Sequence, residues 1–147
     1  MGCPTLYPEP LERLAEVDPG RKPAVNQIEI HPGFSNNAQR EDNARRGIVT
    51  EAWSPLGQGQ ALDSPVVAQV ARDHGVSPAQ AILAWHLTRG DVVIPRSSNP
   101  GRIRDNLAVA ELRLAPEELA AIDALDRGEA GRIGGHPERE YADTPLG

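Results

Sequence analysis

The sequence predicts an α/β fold in which helices cover a parallel β-sheet. Amphipathic segments alternate with short apolar runs along most of the 147 residues, the order expected of a parallel sheet with helical crossovers. The 14 glycines and 14 prolines fall between these segments and form no low-complexity run. At ~100–200 residues per domain, a chain of this length is expected to form one domain with its own core.

The first part of the chain contains two predicted strands, each preceded by a helix. Leu11, Leu14 and Ala15 are spaced to share one face of the first helix. The strand that follows is β-branched at its apolar positions and stops before Pro32, and Gly47 lies where the second helix needs a C-terminal cap. The predicted elements are a helix over 9–17, a strand over 24–30, a helix over 37–46 and a strand over 48–53.

The second part of the chain is mostly helical in prediction. Ser64 and Ser77 are good N-caps, and each is followed by a proline at the first helical position. Glu117 and Glu118 lie in the first turn of the last helix, where the helix dipole favours acids. The predicted elements are helices from 65 to 74 and from 78 to 90, a strand over 92–95, helices over 100–110 and 116–125, and a loop-like tail from 126.

Polar, turn-forming segments follow all three predicted strands. They are His31-Pro32, Ser54-Pro55 and Arg96-Ser97. Because α/β folds build ligand sites at the carboxyl ends of their strands, these segments indicate a binding site.

Composition and charge argue against several classes of function. A net charge of −6 and an isoelectric point near 5.2 provide no basic field for nucleic acid. Cys3 alone excludes an intramolecular disulfide and a cysteine-based zinc site, and the four histidines show no metal-ligand spacing, so no metal is expected. No run approaches the ~18–20 apolar residues of a membrane helix, and the N-terminus has no secretory pattern. A cytoplasmic location without membrane contact is therefore expected.

Four motifs follow one another along the chain: PAVNQIEIHP (23–32), GIVTEAWSPLGQG (47–59), SPAQAILAWHLTRG with VVIPRSSNPGRIRDN (77–106), and ELAAIDALDRGE (118–129). In this order they resemble the second half of the aldo-keto reductases. The likeness covers roughly residues 8–130 and is strongest to bacterial carbonyl and diketogluconate-type reductases. It implies the C-terminal half of a TIM (β/α)8 barrel, with residues 1–130 as the partial barrel and 131–147 as a loop or tail.

The same resemblance implies NADP(H) as cofactor and assigns residues to its nicotinamide end. Gln27 matches the position that binds the carboxamide, which suits its amide donor and acceptor. Trp53 matches the aromatic residue that stacks on the nicotinamide ring, although taken alone it would be interpreted as a core residue. The loop whose backbone approaches the pyrophosphate corresponds to Ser54, Leu56, Gly57 and Gln58.

A second group of residues corresponds to the adenosine end of the cofactor. Four of them precede a helix N-terminus, where unpaired N–H groups and the helix dipole attract a phosphate; they are Arg96, Ser97, Ser98 and Asn99. Arg102 can bind a 2′-phosphate or stack on adenine, which implies NADP rather than NAD. Asp105 and Asn106 match the positions that hold adenine, although by themselves they are typical of an exposed helix surface.

The resemblance assigns no catalytic residue to this chain. The family's Asp, Tyr, Lys and His tetrad belongs to the first half of its barrel, and no residue here matches it. Residues 1–6 match the end of the fifth strand, where Pro4 and Thr5 replace the Ser-Asn pair that grips the nicotinamide amide. The tail from Arg132 to Tyr141 is expected to help shape the substrate pocket.

Three functions remain open from the sequence. The first is an NADPH-dependent reductase of aldehydes or ketones whose proton-donating tyrosine comes from another chain or an upstream segment, so that this chain alone is inactive. The second is a non-catalytic NADP(H)-binding module, and the third is a non-functional remnant of a disrupted gene. In each case the unpaired edges of a half barrel predict self-association.

Overall fold

The computed structural model describes residues 6–20 and 22–136. Its helices are α1 (Pro8–Val17), α2 (Asn37–Arg45), α3 (Pro65–His74), α4 (Pro78–Thr88), α5 (Pro100–Ala108) and α6 (Pro116–Asp123). Its strands are β1 (Val25–Glu29), β2 (Val49–Trp53) and β3 (Val92–Val93). The predicted order of elements is confirmed, with small differences at the ends. One expectation was wrong: the tail after 126 is not all loop, because Gly128–Gly131 forms a short 3₁₀ helix that begins at a left-handed glycine.

The three strands form a parallel sheet in the order β1-β2-β3. The register pairs Gln27 with Glu51 and Glu51 with Val92. Because side chains alternate between the faces of a strand, these three residues lie on one face and their sequence neighbours lie on the other. The two faces have different surroundings, and this difference positions the site.

One face of the sheet is covered by helices and forms the core. Ile28, Ile30 and Ala52 are fully buried there, against Ile82 and Trp85 of α4. All residues from 81 to 86 are buried, which explains why α4 is apolar on every side rather than along one stripe. Burial of each large side chain contributes about 1.5–3 kcal/mol relative to exposure.

A buried polar cluster fastens α2 to the same face of the sheet. Asn43 Oδ1 accepts hydrogen bonds from Asn26 Nδ2 at 3.0 Å and from Gln39 Nε2 at 3.1 Å. Asn43 Nδ2 donates to Thr50 Oγ1 at 3.0 Å. Asn26 also exchanges two hydrogen bonds with the backbone of Leu6, at 3.0 and 2.7 Å. One asparagine therefore joins a helix to two strands.

The opposite face of the sheet, here called the open face, is exposed over much of its area. Val49, Val92 and Ile94 expose 47%, 43% and 52% of their surface. Residues 131–134 cover the carboxyl-terminal end of β1 on this face. The open face therefore presents apolar side chains to solvent next to the strand ends.

The described residues contain no helix long and apolar enough to cross a membrane. The same residues contain no group of three or more His, Cys, Asp or Glu side chains arranged to hold a metal ion.

We expect Asn43→Ala to lower the free energy of unfolding by roughly 1–3 kcal/mol. It removes the acceptor of the buried Gln39 amide and the donor to the Thr50 hydroxyl, and it leaves the Asn26 amide with only its bond to the Leu6 carbonyl. Chemical denaturation measures this loss. Glu41→Ala, at an exposed position of the same helix, is the matched control and should change stability by less than about 0.5 kcal/mol. Equal losses in the two variants would contradict a structural role for the cluster.

Candidate cofactor site

The loops that follow the three strands meet at one edge of the sheet. All three strands are parallel, so their carboxyl ends lie on the same side. The loop after β1 contains His31, the loop after β2 spans residues 54–59, and the loop after β3 leads through residues 94–99 into α5. The fold thereby brings together the three polar segments expected from the sequence to form a site.

Gln27 lies on the open face, next to an acidic partner on β2. Its Nε2 donates to Glu51 Oε1 at 2.7 Å, and both side chains are half-buried. The carboxylate fixes which end of the amide is the donor end. Gln27 is thus an oriented amide on the face that also carries Trp53.

Trp53 ends β2 and is half-buried on the open face rather than packed in the core. The edge of its six-membered ring lies against Gly134: a Cβ atom there would overlap Trp53 Cη2 and approach Cζ2 to 3.1 Å. The fully buried tryptophan is Trp85, whose Nε1 donates to Asp123. Trp53 therefore belongs to the candidate site, and Trp85 to the core.

The loop after β2 is a tight turn that rests on His31. Gly57 has a φ of +55°, and a Cβ atom at this position would lie 2.9 Å from His31 Nδ1. Only a glycine meets both demands without strain. The loop is also held through Pro55, whose carbonyl oxygen lies 3.0 Å from Nε2 of the buried His86.

Two backbone N–H groups of this loop are used within the turn. Gly57 N donates to the Ser54 carbonyl at 2.8 Å, and Gly59 N donates to the Leu56 carbonyl at 2.9 Å. Gln58 lies between them, is exposed, and has a φ of +52°. The sequence predicts a loop whose N–H groups approach a pyrophosphate, and the structure leaves that contact to groups other than these two amides.

The N-terminus of α5 is capped by Asn99. Its Oδ1 accepts from Gly101 N at 2.8 Å and from Arg102 N at 3.2 Å, while Ser97 Oγ accepts from Asn99 N at 3.1 Å. The N–H groups at this helix N-terminus are expected from the sequence to be unpaired, but the Asn99 side chain accepts from two of them. An external anion would have to compete with that side-chain oxygen. A phosphate would therefore meet mainly side chains.

Two exposed arginines flank this cap. Arg96 precedes it and Arg102 follows it on α5, and Ser98 between them is also exposed. Among residues 6–20 and 22–136, no acidic side chain forms an ion pair with either guanidinium. Within the described part of the chain both guanidinium groups thus face solvent without an acidic partner, and a guanidinium can bind phosphate oxygens through paired N–H groups.

Asp105 and Asn106 lie farther along α5, a helix without a fully buried residue. Asp105 is exposed and Asn106 is half-buried. The Asp105 carbonyl accepts from Gln80 Nε2 at 2.9 Å, which ties α5 to α4. The helix is thus a surface element, and the structure gives these two side chains no further role.

Glu29 is a member of this region whose role could not be inferred from the sequence. It is only 1% exposed; Oε1 accepts from Ile133 N at 2.6 Å and Oε2 accepts from Gly134 N at 2.9 Å. Burial alone would raise the pKa of Glu29, but the hydrogen bonds from His31 and from these amides outweigh it and lower the pKa. The carboxylate is therefore ionised at neutral pH. The only signal in the sequence was an acid within a strand, which also fits a partner on a neighbouring strand.

The two amides that donate to Glu29 belong to residues 131–134, here called the closing segment. Gly131 lies so close to the backbone of Gly33 that a Cβ atom would overlap the Gly33 carbonyl oxygen. Arg132 donates to the Tyr7 hydroxyl at 2.6 Å, and its guanidinium lies 4.4 Å from the centre of the Phe34 ring. These contacts place the first part of the expected pocket-shaping tail beside the site, while residues 137–141 of that tail, like Pro4 and Thr5, lie outside the described residues.

Comparison with known proteins agrees with this arrangement. The model of the aldo/keto reductase family matches residues 7–127. The chain belongs to this family. An aldo-keto reductase from Mycolicibacterium smegmatis is 43% identical over 137 residues, which are 93% of this chain. A methylglyoxal reductase, DkgA, from Yersinia pestis is 42% identical over 87% of the chain.

Solved structures of aldo-keto reductases show the same fold. A mutant of Gox0644 in complex with NADPH is 40% identical, with a TM-score of 0.87 over 92% of this chain and 49% of that one. The chain likewise spans about half the length of the curated relatives it matches. The predicted fold class, parallel strands and covering helices from the C-terminal half of a TIM barrel, is confirmed.

We expect Gly57→Ala to destabilise this aldo-keto reductase chain more than Gly75→Ala. Both glycines have left-handed φ values, +55° and +65°, but an added Cβ meets His31 at position 57 and nothing within 4 Å at position 75. Both variants carry the backbone cost of about 1–2 kcal/mol, and Gly57→Ala adds roughly 1 kcal/mol or more of overpacking. Urea denaturation measures both losses. Losses of the same size would show that His31 moves aside without cost.

Proposed function

We propose that this chain forms the cofactor-binding half of an NADP(H)-dependent oxidoreductase site that reduces aldehydes or ketones to alcohols. The observation that carries the proposal is a pair of exposed arginines, Arg96 in the loop after β3 and Arg102 at the start of α5, that form no ion pair with the residues the structure describes. Membership of the family and the solved relative in complex with NADPH support it. In this proposal residues 1–130 are the partial barrel and 131–147 are its tail.

Each residue of the proposed site does what its chemistry allows. NADPH, when bound, supplies the hydride that reduces the carbonyl carbon. Trp53 offers an aromatic surface for the nicotinamide ring. Gln27, held by Glu51, offers an oriented amide to the carboxamide. The loop at 54–59 lies between them and α5 along the edge of the sheet, where the diphosphate would run.

The arginines account for a preference for NADP(H) over NAD(H). The two cofactors differ by the 2′-phosphate on the adenosine ribose, which carries negative charge at neutral pH. Arg96 and Arg102 can form charge-assisted hydrogen bonds with that group, while the Asn99 cap fixes the backbone that carries them. Asp105 and Asn106 follow on the same helix, at the proposed adenine position.

The proton that completes the reduction is not assigned to a residue of this chain. In the proposed enzyme a tyrosine from a separate segment or chain protonates the carbonyl oxygen, so these 147 residues alone bind cofactor without turnover. A non-catalytic NADP(H)-binding module is the second candidate function. The observation that favours it is that Gln27, Trp53, Arg96 and Arg102 are all supplied by one chain.

We expect the chain to bind NADPH with quenching of tryptophan emission, since Trp53 is the accessible tryptophan and Trp85 is buried. Arg102→Ala should weaken NADPH binding roughly ten-fold, through loss of a charged hydrogen bond, and leave NADH binding nearly unchanged. Arg104→Ala, on the same helix and equally exposed, is the matched control and should affect neither. Flat emission with both cofactors would contradict cofactor binding by this chain.

The open face leads us to propose self-association of the isolated chain. Val49, Val92 and Ile94 expose apolar surface on the open face of the described three-stranded sheet, and such surface favours association. Sedimentation velocity should show concentration-dependent association that Val49→Lys weakens. Val17→Lys, on α1 at a position that is 85% exposed, is the control and should leave association unchanged. A monodisperse wild-type monomer at all concentrations would contradict this proposal.

A further inference from the structure

The buried carboxylate of Glu29 connects β1 to the closing segment by one hydrogen bond to each of its oxygens. Oε1 accepts from Ile133 N at 2.6 Å and Oε2 accepts from Gly134 N at 2.9 Å. Two adjacent amides and one carboxylate form an arrangement that only an acceptor pair can satisfy. A glutamine of the same shape would accept from one amide and place its own NH₂ group against the other.

The closing segment has two attachments of different kinds. Its first residues are held by Gly131 against the Gly33 carbonyl and by Arg132 between Tyr7 and Phe34. The bonds of Glu29 are made to Ile133 and Gly134, the part nearest to Trp53. Loss of the carboxylate would therefore release this part while the first attachment persists.

Gly134 transmits this attachment to Trp53. An added Cβ atom at Gly134 would overlap Trp53 Cη2 and lie 3.0 Å from Glu29 Oε2. The backbone of Gly134 is thus held between the carboxylate and the edge of the indole ring. The nearest indole atoms are Cη2 and Cζ2 of the six-membered ring, so the closing segment forms a wall at this end of Trp53.

The same carboxylate also reaches the loop after β2. His31 Nε2 lies 3.2 Å from Glu29 Oε1, and the other side of the imidazole supports Gly57, where a Cβ atom would lie 2.9 Å from Nδ1. Both residues of the pair are 1% exposed. Glu29 therefore contacts the closing segment directly and the loop at 54–59, the proposed diphosphate loop, through His31.

We infer that Glu29 is a positioning residue that holds the closing segment against the edge of Trp53 and so sets the wall of the carbonyl pocket beside the nicotinamide position. The pocket's role rests on the proposed function; the attachment itself does not. Glu29 acts through backbone amides and His31, not on cofactor or substrate. The Trp53 ring and the Glu29 carboxylate together leave no room for a side chain at Gly134.

The direct test is amide hydrogen exchange in the full 147-residue chain carrying Glu29→Gln. We expect exchange at Ile133 and Gly134 to accelerate roughly ten-fold to a hundred-fold, because a charged hydrogen bond is lost at one or both amides, while exchange in β2 and α4 stays at the wild-type rate. Unchanged exchange at both amides would overturn the inference.

Glu118→Gln is the matched control for this substitution. The Glu118 carboxylate likewise accepts from a backbone amide, Ala115 N at 2.8 Å, and lies 2.9 Å from a histidine, His74 Nε2, but it is on α6 outside the site. Its substitution should accelerate exchange at Ala115 and leave Ile133 and Gly134 unaltered. Acceleration of these two by the control would show a general loosening and overturn a specific role of Glu29.

A second pair of variants keeps the test readable if Glu29→Gln fails to fold. Gly134→Ala leaves the carboxylate intact and forces the closing segment away from Trp53, so acrylamide should quench Trp53 emission more strongly than in the wild type. Gly20→Ala, whose Cβ would approach only Asp18 at 3.9 Å, should leave quenching unchanged. Wild-type quenching in Gly134→Ala would overturn the contact.

These measurements need no cofactor, which separates the two proposals. A wild-type chain that fails to bind NADPH contradicts the proposed function, while exchange and quenching still decide the role of Glu29. Where NADPH binds, Glu29→Gln should weaken its binding several-fold and Glu29→Asp, which keeps the charge, should restore part of the loss. Full NADPH affinity in Glu29→Gln would show that the attachment does not position the site.

Discussion

The parallel register between β1 and β2 is the constraint on which the rest of the structure depends. Pairing Gln27 with Glu51 directs Ile28 and Ala52 toward the helices and Trp53 toward the open face. A shift of one residue in register would exchange the side chains of the two faces and bury the amide of Gln27 in the apolar core. Burial of an amide without hydrogen bonds costs about 2–7 kcal/mol. The same register therefore builds the core and presents the site.

Buried polar groups hold the helices and the tail in place where apolar packing alone would not select one arrangement. Asn43 joins α2 to both long strands, and Glu29 joins β1 to the closing segment. Apolar contacts favour burial in many orientations, but a donor and an acceptor must meet in one. These clusters explain how a chain with few aromatic residues keeps its loops fixed at one edge of the sheet.

Much of the candidate site could be predicted from local sequence. The predictions that were wrong concern backbone N–H groups that are paired locally. Gln27, Trp53 and the arginines follow from motifs of a few residues; Gln27 and Trp53 share the open face of the sheet, Arg96 follows β3 and Arg102 lies on α5. The free N–H groups expected before α5 are instead used by the Asn99 side chain, and the loop of Gly57 uses two of its own amides. In both cases an acceptor within a few residues satisfies the amides, because turns and helix ends pair their own backbone groups locally.

The sequence by itself determined most of the elements and their order, because periodicity, proline starts and glycine stops act over a few residues. It also determined the family, through motifs that stand in a fixed order. Only the tertiary structure decided the partner of Glu29, because Ile133 lies 104 residues farther along the chain. A buried carboxylate needs hydrogen-bond donors to offset its lost hydration, but the sequence around Glu29 does not show where they come from. The donors are two distant backbone amides, which only the tertiary packing brings to this side chain.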